Sequence, residues 1–327
     1  MTAMDFAVIL PAYNEATHIG EAIDAVRACA RNGISVEIVV VDNQSTDDTA
    51  KIARERGATV LENTDSKRRT IAALRNAGAH VTTAPVLAFL DADMLVPNDW
   101  LEKAAGRFGT GYSGALGFAE RVPDDASWVG RVWGNRSDAP LTDLATDFLP
   151  GRNILVSREA FEAVDGFDET LITCEDKDFT YRLSEASRCV LRSPATTVIH
   201  LGYEKSLMEF IKKEFWRQST TLAFAHRHGF SARTLRNPAM SLWHLLCAGL
   251  FAGTLALGAW TWVCSALALW LIPASLFTLR DAMSMRHRHN LPGVLALTFL
   301  RWNVSGAALA WQAARSALSR LVGGNAS

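Results

Sequence analysis

The sequence predicts an α/β fold, a mainly parallel sheet with helices on both faces, followed by C-terminal transmembrane or interfacial helices. Three observations carry that prediction. Short β-branched apolar runs alternate with amphipathic stretches from Phe6 to Leu90. Polar, acid-rich segments follow the ends of those runs. Charged residues crowd before Arg236, and no Asp, Glu, Lys or Arg occurs between Arg236 and Arg280.

The first run, Phe6 to Leu10, lacks a basic start and stops at Pro11, so it reads as an opening strand and not as a signal peptide. Val36 to Val41, Ala58 to Leu61 and Val86 to Leu90 repeat the pattern. Between them lie helical stretches near Thr17 to Ala30, Asp47 to Arg56 and Lys67 to Val81, the second opening on Ser45-Thr46-Asp47-Asp48, which reads as a capping box. Strand–helix alternation implies crossover connections and a parallel sheet. Open sheets of this kind bind ligands at the carboxyl ends of their strands, which directs attention to Pro11 to Glu15, Asp42 to Thr46 and Asp91 to Asp93.

Residues 109–150 carry Gly, Pro, Asp and the isolated Trp128 and Trp133 without a period, and read as a long, partly irregular insert. Pattern returns as a strand and short helix in NILVSREAFEAVDGFDE, a helix from Asp176 to Ala186 and a strand near Thr196 to His200. No repeat or low-complexity tract is present.

The uncharged block suits two membrane helices of about 20 residues each. They form a hairpin over about 240–279 with its turn at Gly258-Ala259-Trp260-Thr261-Trp262, the bland alternative being a buried helix pair in a soluble core. Arg227, Arg233 and Arg236 flank one side and Arg280, Arg286 and Arg288 the other, which places both flanks in the cytoplasm. A third apolar segment, Leu291 to Trp311, contains Arg301 and Asn303 and is trailed by Arg315 and Arg320; it reads as interfacial or re-entrant over about 291–320. Gly249 and Gly253 form a GxxxG that is either a packing seam or chance.

A formal net charge of −1 over 327 residues, with no long basic run, argues against nucleic acid as a partner. Five cysteines without ligand-like spacing read as reduced thiols, which puts the soluble part in the cytosol.

Asp91-Ala92-Asp93 follows a buried strand, where two carboxylates two residues apart can reach one hard cation and the phosphates it bridges. Any DxD can equally be a solvated turn, and Asp176-Lys177-Asp178 repeats the spacing. Asp42, Asn43 and Ser45 can hydrogen-bond a base or ribose, or serve the following helix. Pro11-Ala12-Tyr13-Asn14-Glu15 shows no GxGxxG, which argues against a dinucleotide-binding oxidoreductase, and the Tyr13 ring can stack on a base. Of Glu175 and Asp176, one carboxylate can act as general base, or both can stabilise a helix start. His200 is either a third metal ligand or a strand-end histidine.

PAYNE, VVDNQSTDDT, LRNAGA, FLDADM, VDGFDE and CEDKDFTYRL occur in this order, and the chain over about residues 6–203 thereby resembles glycosyltransferase family 2. The resemblance implies the Rossmann-like GT-A fold and inverting transfer. It implies that Pro11, Tyr13, Glu15 and Asp42 hold the nucleoside, usually uridine, with Arg75 near the donor, beside the Asn43 and Ser45 that can hydrogen-bond a base or ribose. By the same resemblance Asp91 and Asp93 would bind the metal-diphosphate with Mg2+ or Mn2+, Asp93 as the direct ligand, His200 would complete the metal site, and Asp176 would be the base, beside Glu175. The QxxRW of processive members is missing, its nearest counterpart reading Glu214-Phe215-Trp216-Arg217-Gln218, which implies single transfer.

The expectation is therefore a cytosolic glycosyltransferase domain over 1–230 and a membrane region over 237–327, at the cytoplasmic membrane with the catalytic domain facing the cytoplasm. The partners are a nucleotide-diphosphate sugar and a lipid-linked or membrane-proximal acceptor, touched by Trp128, Trp133, Arg136 and Arg152. The rivals are a silent nucleotide-sugar-binding membrane component and a nucleotidyltransferase, which would carry a glycine-rich basic loop where this chain has AYNEATHIG.

Overall fold

The computed structural model describes residues 4–134, 141–284 and 290–323. The chain divides into two compact units, Met1–Asp124 with Ala139–Tyr203, and Asp125–Asp138 with Glu204–Ser327.

The first unit is built on one sheet of order β3-β2-β1-β4-β8-β6-β9-β5, with β7 paired to β9. β1 (Met4–Ala12), β2 (Ile34–Asp42), β3 (Thr59–Glu62) and β4 (Val86–Leu90) pair in parallel, joined by α1 (Ile19–Arg27), α2 (Thr49–Glu55) and α3 (Ile71–His80). Side chains alternate across a strand. Phe6, Val8 and Leu10 accordingly join the core under α1, while Ala7 and Ile9 join the opposite core under α3. Both faces are covered, which is why these strands read as continuous apolar runs.

Beyond β4 the sheet is mixed. β8 (Asn153–Ser157) runs antiparallel to both β4 and β6 (Gly114–Arg121), β6 is parallel to β9 (Cys189–His200), and β9 pairs antiparallel with β5 (Met94–Leu95) and β7 (Leu144–Ala145). The stretch expected to be irregular thus supplies a central strand, β6, whose Gly114-Ala-Leu-Gly is too rich in small residues for a strand signal. α4 (Trp100–Phe108), α6 (Arg158–Ala163) and α7 (Glu175–Glu185) complete this unit.

The expected capping box at Ser45 does not form. Asp48 takes the N-cap position of α2 without a side-chain bond, and Asp47 Oδ1 accepts from the Thr49 amide at 3.0 Å. Ser45 Oγ instead accepts from the Asn14 amide at 2.9 Å, and Asn14 Oδ1 from the Thr46 amide at 2.8 Å, so the loops after β1 and β2 are laced together.

The second unit is helical: α5 (Trp128–Gly134), α8 (Leu207–Arg217), α9 (Thr221–Arg227), α10 (Ala232–Ala256), α11 (Trp260–Ser284) and α12 (Leu291–Gly323). Val129 and Val132 of α5 bury with Phe210 of α8 and Val294 and Leu297 of α12. Among the described residues three segments are long and apolar enough to cross a membrane: Thr234–Ala256, Trp260–Arg280 and Leu291–Arg315, with mean hydropathies of 1.5, 1.8 and 1.2. The tight connection between the first two uses Gly258 at φ +63°, a conformation that favours glycine. A Cβ at Gly249 or Gly253 would meet nothing within 4 Å, so the GxxxG is not a seam in this unit. The close approach lies elsewhere, where Gly306 of α12 rests on the Ser241 carbonyl of α10.

The polar residues of α12 have partners. Arg301 Nε donates to Glu214 Oε2 of α8 at 3.1 Å, and Asn303 Oδ1 accepts from Trp270 Nε1 at 3.1 Å. Arg286 and Arg288 lie outside the described residues.

Candidate active site

Strand ends build the site. Pro11, Tyr13 and Glu15 after β1, Asn43 after β2, and Asp91 and Asp93 after β4 line one cleft of the α/β unit. Parallel pairing from Met4↔Ile34 to Ala12↔Asp42 brings the ends of β1 and β2 level, and β4 ends beside them.

Asp42 is buried; its Oδ2 accepts from the Ser45 amide at 3.1 Å, while Oδ1 is buried without a hydrogen-bond partner. An unpaired buried acceptor is costly, which suits an oxygen kept for a ligand donor. Asn43 is different: its Oδ1 accepts from the Asn63 side chain at 2.9 Å and the Arg69 amide at 3.0 Å, and its Nδ2 donates to the Arg69 carbonyl. It therefore anchors the loop that carries Arg68, whose guanidinium lies 4.2 Å over the half-exposed Tyr13 ring. Ser45 is engaged with Asn14 and Asp42.

The two DxD segments separate cleanly. Asp178 is fully buried and bonded to Arg182 Nε at 2.8 Å, so the second acid of Asp176-Lys177-Asp178 is engaged within helix α7. Asp91 and Asp93 open into the cleft. The β5–β9 register sets His200 opposite Met94, and its Nε2 lies 3.6 Å from Asp93 Oδ2. Burial works to raise the Asp93 pKa, but the neighbouring His200 outweighs it and holds the carboxyl below its ordinary value.

Asp91 accepts from Arg75 Nη2 at 3.1 Å. Arg75 also donates through Nη1 to Glu175 Oε1 at 2.8 Å and lies 5.3 Å from the Phe167 ring centre. Burial pushes the Asp91 pKa up despite Arg75. Burial, followed by the adjacent Asp176, raises Glu175 to about 7. Asp176 itself is half-buried, and its Oδ2 accepts from the Gly151 amide at 3.0 Å.

Asp93 Oδ1 is buried without a partner, and a Cβ at Gly202 would collide with the carboxylate of the same residue. That orphaned oxygen, the imidazole beside it and the hard oxygen donors fit a divalent cation shared with a diphosphate. Among the described residues no three of His, Cys, Asp or Glu already form a metal-holding group, and Asp91 Oδ1 is engaged by Arg75.

Of the expected acceptor contacts, Arg152 is in this unit, gripping Glu120 Oε2 through Nε at 2.7 Å and Nη2 at 2.6 Å, with its carbonyl accepting from the Asp91 amide. Trp128 and Trp133 belong to α5 of the helical unit, where Trp133 packs edge-on against Phe210 at 5.0 Å and under Arg301 at 5.4 Å. Arg136 lies outside the described residues. Glu120, Arg68, Gly151 and Gly202 were not singled out from sequence; the glycines alone left a trace there, in PGRN and HLGY beside functional segments.

Residues 7–165 match the model of Glycosyl transferase family 2. The chain carries a family 2 glycosyltransferase domain. Among relatives, this glycosyltransferase is 27% identical to glycosyltransferase AglE of Haloferax volcanii over 216 residues, 64% of this chain and 70% of that protein. It is likewise 27% identical to the pre-mycofactocin glycosyltransferase of Mycobacterium tuberculosis over 270 residues, 77% of this chain but only 54% of that protein, and so spans about half the length of that relative. Its fold resembles that of the mannosyltransferase PcManGT from Pyrobaculum calidifontis, solved with GDP-Man and Mn2+, at a TM-score of 0.59 and 21% identity, covering 92% of this chain and 86% of the other. The glycosyltransferase thus has the mixed α/β sheet of the GT-A fold.

Proposed function

We propose that the protein is an inverting, metal-dependent, non-processive glycosyltransferase that moves one sugar from a nucleoside-diphosphate donor, with uridine as the nucleoside, to an acceptor hydroxyl. The observation that carries this is the gathering of two carboxylates with unpartnered buried oxygens, Asp42 and Asp93, and the amide-held Asp176 at neighbouring strand and helix ends of one unit.

Asp42 accepts from the base while Tyr13, with Pro11 and Glu15, lines the nucleoside. Asp93 and His200, joined by Asp91, would hold Mg2+ or Mn2+, which supplies neutralisation of charge on the departing diphosphate. The neighbouring fold's GDP-Man and Mn2+ are compatible with a nucleotide sugar and a divalent ion. Asp176 takes the proton of the acceptor hydroxyl as that oxygen bonds to the anomeric carbon and the bond to the diphosphate breaks on the opposite face. Both oxygens of its carboxylate accept backbone amides, from Gly151 and Lys177, which fixes its direction. Arg75 holds Glu175 and Asp91 on either side, and Arg152 is a candidate acceptor contact.

The apolar helices of the same chain tether this domain at a membrane, which favours a lipid-linked or membrane-proximal glycan of cell-surface polysaccharide synthesis and a catalytic domain on the cytoplasmic side. The absent QxxRW supports one transfer per encounter.

The test is a screen of nucleotide sugars with purified protein and manganese, with and without a lipid-linked acceptor, reading released nucleoside diphosphate and the anomeric configuration of the product. Diphosphate release that rises with the lipid-linked acceptor is expected. No release from any donor supports a silent nucleotide-sugar-binding component, and pyrophosphate release in a parallel assay with a nucleoside triphosphate and a sugar 1-phosphate supports a nucleotidyltransferase.

A further inference from the structure

Helix α8 carries apolar side chains on both faces, burying Phe210 on the inner one. Its inner face buries a charge: Glu214 is 1% exposed, accepting from Arg301 of α12 and from Arg217, which also binds Glu204 at 2.7 Å. Its outer face carries Leu207, Met208, Phe215 and Trp216, all exposed, with Met208 at 59% and Trp216 at 53%. Residues three and four apart share a helix face, so 207, 208, 211, 212, 215 and 216 form one broad surface. Scattered apolar residues on a surface need no explanation, but a contiguous set opposite a buried ion pair does. Water is the wrong solvent for that face.

The surrounding charge identifies what replaces water. Residues 205–236 contain seven basic and two acidic side chains, and no acid follows Glu214 before Asp281. Lys205 and Lys212 are exposed, and Lys212 lies between Met208 and Trp216 in sequence and on the same face. A lysine so placed can keep its stem on apolar material and carry its ammonium to a headgroup. A tryptophan at the edge of an apolar face suits the boundary between acyl chains and water. Leu222 of α9 and Phe230, 67% exposed, extend the apolar character up to α10, where the first candidate span begins at Thr234.

We propose that the outer face of α8 docks on an anionic lipid surface, with the helix in the plane of the headgroups, as a membrane contact distinct from α10, α11 and α12. A second copy of the chain would bring the same basic excess and be repelled; an anionic bilayer complements it. The inference does not depend on the reading of the active site.

The test uses the full chain in vesicles of phosphatidylcholine, with and without phosphatidylglycerol, bearing a fluorescent amino acid in place of Met208, Trp216 or, as an aqueous reference, the exposed Glu55 of α2. Lipids brominated on the acyl chains quench on contact. Several-fold stronger quenching at 208 and 216 than at 55, increased by phosphatidylglycerol, is expected, and the Lys205→Glu/Lys212→Glu variant should remove that increase. Quenching at both positions no greater than at 55 overturns the proposal. So does a face shielded from aqueous iodide yet unquenched by lipid, which would mean a protein covers it. An increase with phosphatidylglycerol that survives the double charge reversal overturns the assignment of the headgroup charge.

Discussion

Arg75 donates to Glu175 at 2.8 Å from a position only 2% exposed, and the same guanidinium holds Asp91 at 3.1 Å. A buried fork of this kind matters most when one tine is removed. Arg75→Met leaves the buried Glu175 and the part-exposed Asp91 without their cation, a loss of about 3–5 kcal/mol by the usual cost of breaking a buried pair. The expected outcome in thermal unfolding is a fall in Tm with loss of diphosphate release, and Arg75→Met/Glu175→Gln should recover part of the Tm. A double variant no more stable than Arg75→Met would show that the two side chains are not coupled.

Glu175 also sets a pH dependence. Its carboxyl is raised from an ordinary 4.5 to about 7 by burial and Asp176, so the folded protein binds its proton more tightly than the unfolded chain. The stabilisation is complete below about pH 4.5 and is lost as pH rises through about 7, by ~3 kcal/mol. Tm measured from pH 5 to pH 8 should fall more steeply for the native chain than for Glu175→Gln. Parallel slopes would remove Glu175 as the source.

Asp176→Asn preserves shape and one of the two backbone amide bonds, from Gly151 or Lys177, while removing basicity. Transfer should fall by about 10²–10⁴-fold, the range for loss of a positioned base, with nucleotide affinity unchanged. Near-native single-turnover rates would exclude it as the base.

At the other end of the cleft, Asp93→Asn and His200→Ala should each weaken manganese-dependent donor binding in calorimetry by roughly 10-fold or more, by analogy with metal-site perturbations. Binding of the nucleoside alone should persist in both. Unchanged manganese dependence in either variant removes that residue from the metal site.

Glycine 202 offers a complementary probe. Any Cβ there meets the Asp93 carboxylate, so Gly202→Ala should reproduce the Asp93→Asn binding defect in calorimetry while β9 stays folded by circular dichroism. Gly151→Ala is aimed at Arg75, whose Nη1 would lie 2.6 Å from the new methyl, and should lower Tm. Native donor binding in Gly202→Ala would mean that Asp93 has room to move.

The half of the sheet from β1 to β4 was legible because its strands are buried on both faces and alternate with amphipathic helices. β6 was not, because Gly114, Ala115 and Gly117 carry little strand preference and its partners β8 and β9 lie far away in sequence. Site residues at strand ends were legible for the same topological reason. Periodicity could not show that Arg75 joins Asp91 to Glu175, a link across 100 positions, or that Asn43 is engaged by Asn63 and Arg69. Nor could it show that Trp133, conspicuous in an aperiodic stretch, packs with Phe210 and Arg301.

The excursion of Asp125–Asp138 into the helical unit means that the peptide chain passes between the two units three times, not once. Cutting the apolar helices away after residue 230 would strip Val294, Leu297 and Arg301 from α5 and α8, uncovering Val129, Val132 and Phe210 and leaving Glu214 with one cation fewer. A soluble catalytic fragment of this protein is therefore better sought by redesigning that exposed seam, or by splicing out the excursion itself, than by simple truncation.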